Sequence, residues 1–167
     1  MREWVEGLYD SYKDGIYSFI AGMTGDRHAA EDLTQEAFAR AMAAAKGFEA
    51  RALPKTWLFA IARNLALSHI ASRRRRRNEE PGALDGFAAD DASPSGMIEA
   101  KETSKALVLA VQGLTAAHRE VFLMKTIDGM TYREIAETIG CPVGTAQSRF
   151  HYAVKELRRA LSRQGVE

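Results

Sequence analysis

Apolar residues recur at helical spacing in five stretches of the chain, and no stretch alternates apolar and polar positions at the period of two that a strand requires. In HAAEDLTQEAFARAMAAAK, Ala29, Leu33, Ala37 and Ala41 repeat every four positions, with Phe38 and Met42 on a neighbouring face. The stretch is rich in strong helix formers and predicts a helix. In KTWLFAIARNLALSHIASRRRRR, Trp57, Leu58, Ile61, Ala62 and Leu65 form a second stripe, and Pro54 suits the first turn of the helix it predicts. LTAAHREVFLMKTIDG places Thr115 at an N-cap, carries Val121, Phe122, Met124 and Ile127, and stops at Gly129. In TYREIAETIG, Thr131 and Glu134 have capping-box spacing, Ile135, Ala136 and Ile139 make the apolar side, and Gly140 supplies the stop. CPVG then turns the chain into TAQSRFHYAVKELRRAL, where Ala146, Phe150, Val154, Leu157 and Leu161 keep to one side. The predicted fold class is all-α.

Composition divides these helices into two sets. Between residues 78 and 104, Pro81, Gly82, Gly86, Pro94 and Gly96 lie among Asp, Ser and Ala with no sustained apolar period, which predicts a flexible linker. The linker holds 1 basic and 7 acidic side chains, against 13 and 9 in residues 1–77 and 9 and 6 in residues 105–167. The net charge of +1 therefore conceals two small basic domains, 1–77 and 105–167, joined by an acidic segment, 78–104. That acidity serves either solubility or the shielding of the basic flanks. The 46% hydrophobic content of the 167 residues is enough to build cores. Cys141, the single cysteine, has no internal disulfide partner, and four scattered histidines give no zinc-site spacing, so a reducing, cytoplasmic setting without a metal fits best. The N-terminal MREWVEGLYDSYKDGIYSF mixes acids among its apolar residues and matches neither a signal peptide nor a membrane span.

Two short helices joined by a tight glycine-containing turn, the second with a polar side opposite its apolar stripe, form a helix-turn-helix pattern. A helix that reads DNA must fit the major groove and reach base edges from its N-terminal half. Gln147, Ser148, Arg149, His151, Tyr152 and Lys155 are positioned for that, while Lys155, Arg158 and Arg159 suit phosphates. A plain amphipathic hairpin with a solvated polar face has the same pattern. The five consecutive arginines Arg73–Arg77 close a predicted helix, where the helix dipole favours some positive charge but does not explain five. No paired carboxylates, phosphate-cradling glycine loop or metal cluster is present, so the chain is not expected to be an enzyme and no cofactor is implied. His69, His118 and His151 stand alone.

The run DGMTYREIAETIGCPVGTAQSRFHYAVKELRRAL resembles the C-terminal, promoter-reading domain of sigma-70 family transcription factors. AEDLTQEAFARA followed by KTWLFAIARNLALSHI resembles their central domain, and with only these two domains the chain is similar to the extracytoplasmic-function (ECF, group IV) class. The resemblance implies a sigma region 2-like domain over 1–77 and a sigma region 4-like helix-turn-helix domain over 105–167, a transcription initiation factor that takes core RNA polymerase to a promoter subset. It implies docking on the polymerase β′ coiled coil through Asp32, Gln35, Glu36 and Phe38, although Phe38 would serve equally in a core. The second domain would hold the β-subunit flap. The implied -10 contacts are Phe48, Lys55, Arg63, Asn64, Arg73, Arg74 and Arg77, with Asn64 offering donor and acceptor to a flipped base and the arginines holding phosphates. Asn64 could also be a solvent-facing helix residue, and Trp57 suits core packing better than base stacking. The implied -35 contacts are Thr145, Gln147, Ser148, Arg149, His151, Tyr152 and Lys155. An anti-sigma factor is a further implied partner.

The chain departs from the family pattern at Ser68, Gln147, Tyr152 and the loop FEARALP, so no promoter sequence transfers to it. Two other functions compete. A helix-turn-helix regulator that is not a polymerase subunit predicts a dimer and a palindromic site, and a polymerase-masking protein predicts no need for Gln147, Arg149 and Lys155.

Overall fold

A computed structural model of the chain describes residues 2–48, 52–79 and 98–165. Within them every regular element is helical, and no helix is long and apolar enough to cross a membrane. Residues 80–97 of the expected linker and 49–51 of the loop from Phe48 to Pro54 lie outside the described residues.

The first half is three helices: α1 (Arg2–Thr24), α2 (Arg27–Ala44) and α3 (Pro54–Glu79), with a short 3₁₀ turn at Ala45–Gly47. α1 was not legible as a helix in the sequence, yet it is the spine of the fold. Val5, Leu8, Ile16, Phe19, Ile20 and Met23 are buried at helical spacing, and the acids between them point outward. Asp26 caps α2 by accepting the Ala29 N–H at 3.0 Å. α3 opens at Pro54, buries Leu58, Phe59, Ala62, Leu65 and Ala66, and then runs on with no fully buried residue to Glu79. Phe19 and Phe59 meet edge to face at 5.6 Å, a geometry worth about 0.5–1.5 kcal/mol beyond burial.

The second half is α4 (Ile98–Gly113), α5 (Ala116–Ile127), α6 (Tyr132–Ile139) and α7 (Val143–Arg163). α4 corrects the expected linker boundary, because it begins inside the stretch assigned to 78–104. Its early residues include Glu99, Lys101 and Glu102, so charge disguised a helix that buries Ala106, Ala110 and Val111. The expected caps form: Thr115 accepts the His118 N–H, and Thr131 and Glu134 make a reciprocal capping box. Gly140, at φ 70°, adopts the left-handed conformation that ends α6 and sets up the turn into α7. Ala153, not Val154, is the fully buried residue midway along α7, because a small residue lets the helix approach its neighbours closely.

The two halves pack on one another through α1 with α5 and α4, and through α3 with α6. Glycines on α1 permit the closest approach. A Cβ placed on Gly22 would lie 2.8 Å from Leu123 Cδ2, and one on Gly15 would lie 2.6 Å from a carboxylate oxygen of Asp128.

The last four carbonyls of α1 show how tightly the halves depend on one another, since a helix end leaves such groups without partners of its own. Ala21 O accepts the Gly25 N–H at 2.8 Å. Gly22 O accepts from the Gln112 amide at 2.6 Å and Met23 O from Arg119 at 2.7 Å, both donors belonging to the second half. Thr24 O accepts from Arg73 at 3.5 Å.

Gly22→Val therefore forces α1 and α5 apart and is expected to cost about 1–3 kcal/mol in urea unfolding. Gly7→Ala, whose Cβ meets nothing within 4 Å, gains up to about 1 kcal/mol through helix propensity alone. Equal effects of the two substitutions would show that the close approach at Gly22 is not built into the folded state.

Candidate nucleic-acid interface

α7 is held by its apolar side. Ala146 is fully buried, and the Phe150 ring stacks on Phe122 at 6.2 Å and meets Tyr132 edge-on at 5.9 Å. The opposite side carries the expected -35 set: Gln147, Ser148, His151, Tyr152 and Lys155 are exposed, and Thr145 is half-buried. Ser148 spends its hydroxyl hydrogen on Gly144 O at 2.9 Å, leaving the oxygen as an acceptor. The Tyr152 ring lies parallel to His118 at 6.2 Å and near His151 at 6.1 Å, which fixes it as an aromatic surface. Arg149 differs from the rest, because it turns inward to within 3.9 Å of the Glu120 carboxylate.

The expected -10 set is dispersed. Asn64 is exposed on α3, whereas Arg63 beside it donates to Glu120 at 2.6 and 3.3 Å. Lys55 donates to Asp128 O at 3.1 Å. Phe48 stands in a cluster with Trp57 at 4.8 Å and Trp4 at 5.2 Å, and Trp57, partly buried, packs against the main core. Arg73 reaches back to the α1–α2 turn, 3.5 Å from Asp26, while Arg74 and Arg77 are exposed. On α2, Asp32, Gln35 and Glu36 share an exposed face, and Glu36 pairs with Arg40. Phe38 does not belong to that face. It is 6% exposed and packs edge-on against Tyr9 at 4.8 Å, so the exposed aromatic there is Tyr9.

Three charged residues that no sequence pattern singles out organise the junction of the halves. Arg119 donates to the carbonyls of Met23, Val111, Gln112 and Leu114 at 2.7–3.1 Å, joining the C-terminal ends of α1 and α4. Helix C-termini attract cations, and a guanidinium has the donors to serve four carbonyls at once. Burial pulls its pKa below the usual arginine value. Glu120 is 2% exposed, with an arginine from each half around it. Asp128 sits over Gly15 with one carboxylate oxygen unpartnered, and burial pushes its pKa up while the charge of Lys55 opposes the shift.

Residues 8–76 match Sigma-70 region 2 and residues 104–157 match Sigma-70, region 4. The ECF RNA polymerase sigma factor SigW of Bacillus subtilis is 32% identical over 162 residues, 92% of this chain and 87% of that protein. The chain belongs to the ECF sigma factors of the sigma-70 family. The ECF RNA polymerase sigma factor SigC of Mycobacterium tuberculosis is 34% identical over 146 residues, 87% of this chain and 76% of that protein. A solved structure of the sigma factor RpoE in complex with the anti-sigma factor NepR from Bartonella quintana matches with a TM-score of 0.78 and 26% identity, covering 97% of this chain and 98% of that one. In this sigma factor the region 2 match ends inside the arginine run, and the region 4 match begins inside α4.

Arg119→Ala removes four charge-assisted hydrogen bonds and is expected to lower the sigma factor's stability by about 2–5 kcal/mol in urea unfolding. Arg119→Lys recovers less than half of that, since one ammonium cannot reach all four carbonyls; full recovery would mean that charge alone matters. Asp128 supplies a pH test. Its folded pKa lies above the ordinary value of 3.8, so the folded chain binds this proton more tightly than the unfolded chain. The associated stability is present below the ordinary value and is lost as the pH rises through the folded value. Asp128→Asn removes that loss, so the variant gains on the native chain as the pH rises from the ordinary carboxylate range toward neutrality. A pH-independent difference between the two would contradict this.

Proposed function

We propose that this sigma factor delivers core RNA polymerase to a promoter subset by reading the -35 element with α7 and the -10 element with the region 2 half. The observation that carries the reading is the exposed row Gln147, Ser148, His151, Tyr152 and Lys155 on a helix whose other side is anchored by Ala146 and Phe150. Gln147 offers the amide pair suited to adenine, and Lys155 the point charge suited to a phosphate. Asn64, exposed midway along α3, takes the flipped non-template base, while Arg74 and Arg77 hold phosphates near the end of that helix. Phe48, Lys55, Arg63 and Arg73 contribute once their present partners release them. The face formed by Asp32, Gln35 and Glu36 meets the β′ coiled coil, and the second half meets the β flap. Phe38 supports that face from beneath.

An anti-sigma factor controls the chain; the likeness to the RpoE fold bound to NepR supports this. The sigma factor acts in the cytoplasm and performs no covalent chemistry. The family matches favour this reading over a dimeric helix-turn-helix regulator.

Purified core polymerase with this protein on a fragmented genomic library should give discrete start sites that share two spaced upstream motifs. Asn64→Ala is expected to weaken those starts about ten-fold or more, a loss of roughly 1–3 kcal/mol. Lys155→Ala should weaken all promoters about equally and reduce the salt dependence of binding by about one counterion. No starts, together with a palindromic binding site for a dimer, would replace this reading with the regulator.

A further inference from the structure

Two cations of α3 assigned to DNA, Lys55 and Arg63, are engaged by α5 and the residue that follows it. They stand eight residues apart, as do their partners Glu120 and Asp128. Lys55 meets the C-terminal end of α5 and Arg63 meets its N-terminal part, so the two segments run in opposite directions with matched spacing. Eight residues of helix span about 12 Å. Glu120 receives Arg63 through both Nε and a terminal nitrogen, at 2.6 and 3.3 Å, the forked geometry with which arginine also grips phosphate. The same carboxylate has Arg149 of α7 at 3.9 Å.

We propose that Glu120 is an autoinhibitory latch, an internal stand-in for a DNA phosphate that occupies Arg63 and holds the sigma factor closed until DNA or polymerase parts the halves. The proposal rests on the reading of α3 as a DNA-contacting helix. A buried carboxylate that loses its partner is costly, which would ordinarily prevent such a latch from opening. Here Arg149 belongs to the same half as Glu120 and remains beside it when Arg63 leaves. The carboxylate thus exchanges two arginines for one without being orphaned, and Arg149 becomes a positioning residue that keeps a cation beside Glu120. Asp128 O and Lys55 form the second point of the latch, at the far end of α5.

The test locks the 167-residue chain shut. Gly22→Cys and Leu123→Cys, in a Cys141→Ser background, place two thiols where a Cβ on Gly22 already lies 3.4 Å from Leu123 Cγ. The probe is a fluorescein-labelled single-stranded oligonucleotide, with transcription by core polymerase as a second readout. Oxidation should weaken oligonucleotide binding about ten-fold and abolish transcription, with both restored by reductant, a coupling of ordinary size. Glu120→Gln in the native chain should tighten oligonucleotide binding several-fold, and adding Arg63→Gln should cancel that gain. Undiminished binding by the oxidised chain, or tightening by Glu120→Gln that persists without Arg63, overturns the latch. Should the reduced chain bind the oligonucleotide but support no transcription, the sigma-factor reading fails while the latch stands.

Discussion

A carboxylate at 2% exposure is costly to bury without a cation beside it, and the requirement to satisfy Glu120 ties the two halves of this sigma factor together. Arg63 arrives from α3 and Arg149 from α7, so a single acid couples the helix assigned to the -10 element with the helix assigned to the -35 element. One residue earlier, Arg119 closes the ends of α1 and α4 through four carbonyls. Adjacent positions on one turn of α5 thus serve opposite electrostatic needs: a buried anion that seeks arginines, and orphan carbonyls that seek a donor.

What was legible in the sequence follows the range of the forces involved. Capping at Thr115 and Thr131, the left-handed stop at Gly140 and the stripes of α2, α3, α5, α6 and α7 are set within a few residues, so spacing reveals them. α1 escaped notice because Glu3, Glu6, Asp10 and Asp14 interrupt its apolar positions, and Gly15 and Gly22 resemble helix breakers until Asp128 and Leu123 are seen against them. α4 escaped because its first turns carry the charge of a linker. Nothing local identifies the Arg63–Glu120 or Arg119–Met23 contacts, whose partners are 57 and 96 residues apart. Phe38 suited either an exposed face of α2 or a core, and only packing tells that this ring is buried and that Tyr9 is exposed beside it.

The arginine run divides along the same line. Arg73 contributes to the closure of α1 through Thr24 O and sits near Asp26, which itself caps α2. It is structural first. Arg74, Arg75, Arg76 and Arg77 continue along an exposed helix past the last residues buried in the core, where positive charge suits both the helix C-terminus and a polyanion. A segment without core contacts costs little fold stability to maintain as a charged arm, which explains how so many like charges coexist.

The packing between the halves has the character of a reversible contact. Its apolar part depends on glycines that let α1 and α5 approach, so it has fewer side chains to bury than a helix pair with full-sized residues. Its ionic part gains little net energy, because the attraction between Arg63 and Glu120 largely repays their desolvation. Asp128 weakens closure further: a half-buried carboxylate with an unpartnered oxygen is held near Lys55 against the cost of burial. The carbonyl bonds from Gln112 and Arg119 supply direction at a helix end that is buried while the halves are together. An apolar core that runs on from one half into the other defines one closed arrangement, while the paired charges and helix-end carbonyls at its margin are groups for which a larger surface, such as a polymerase or a DNA backbone, can compete.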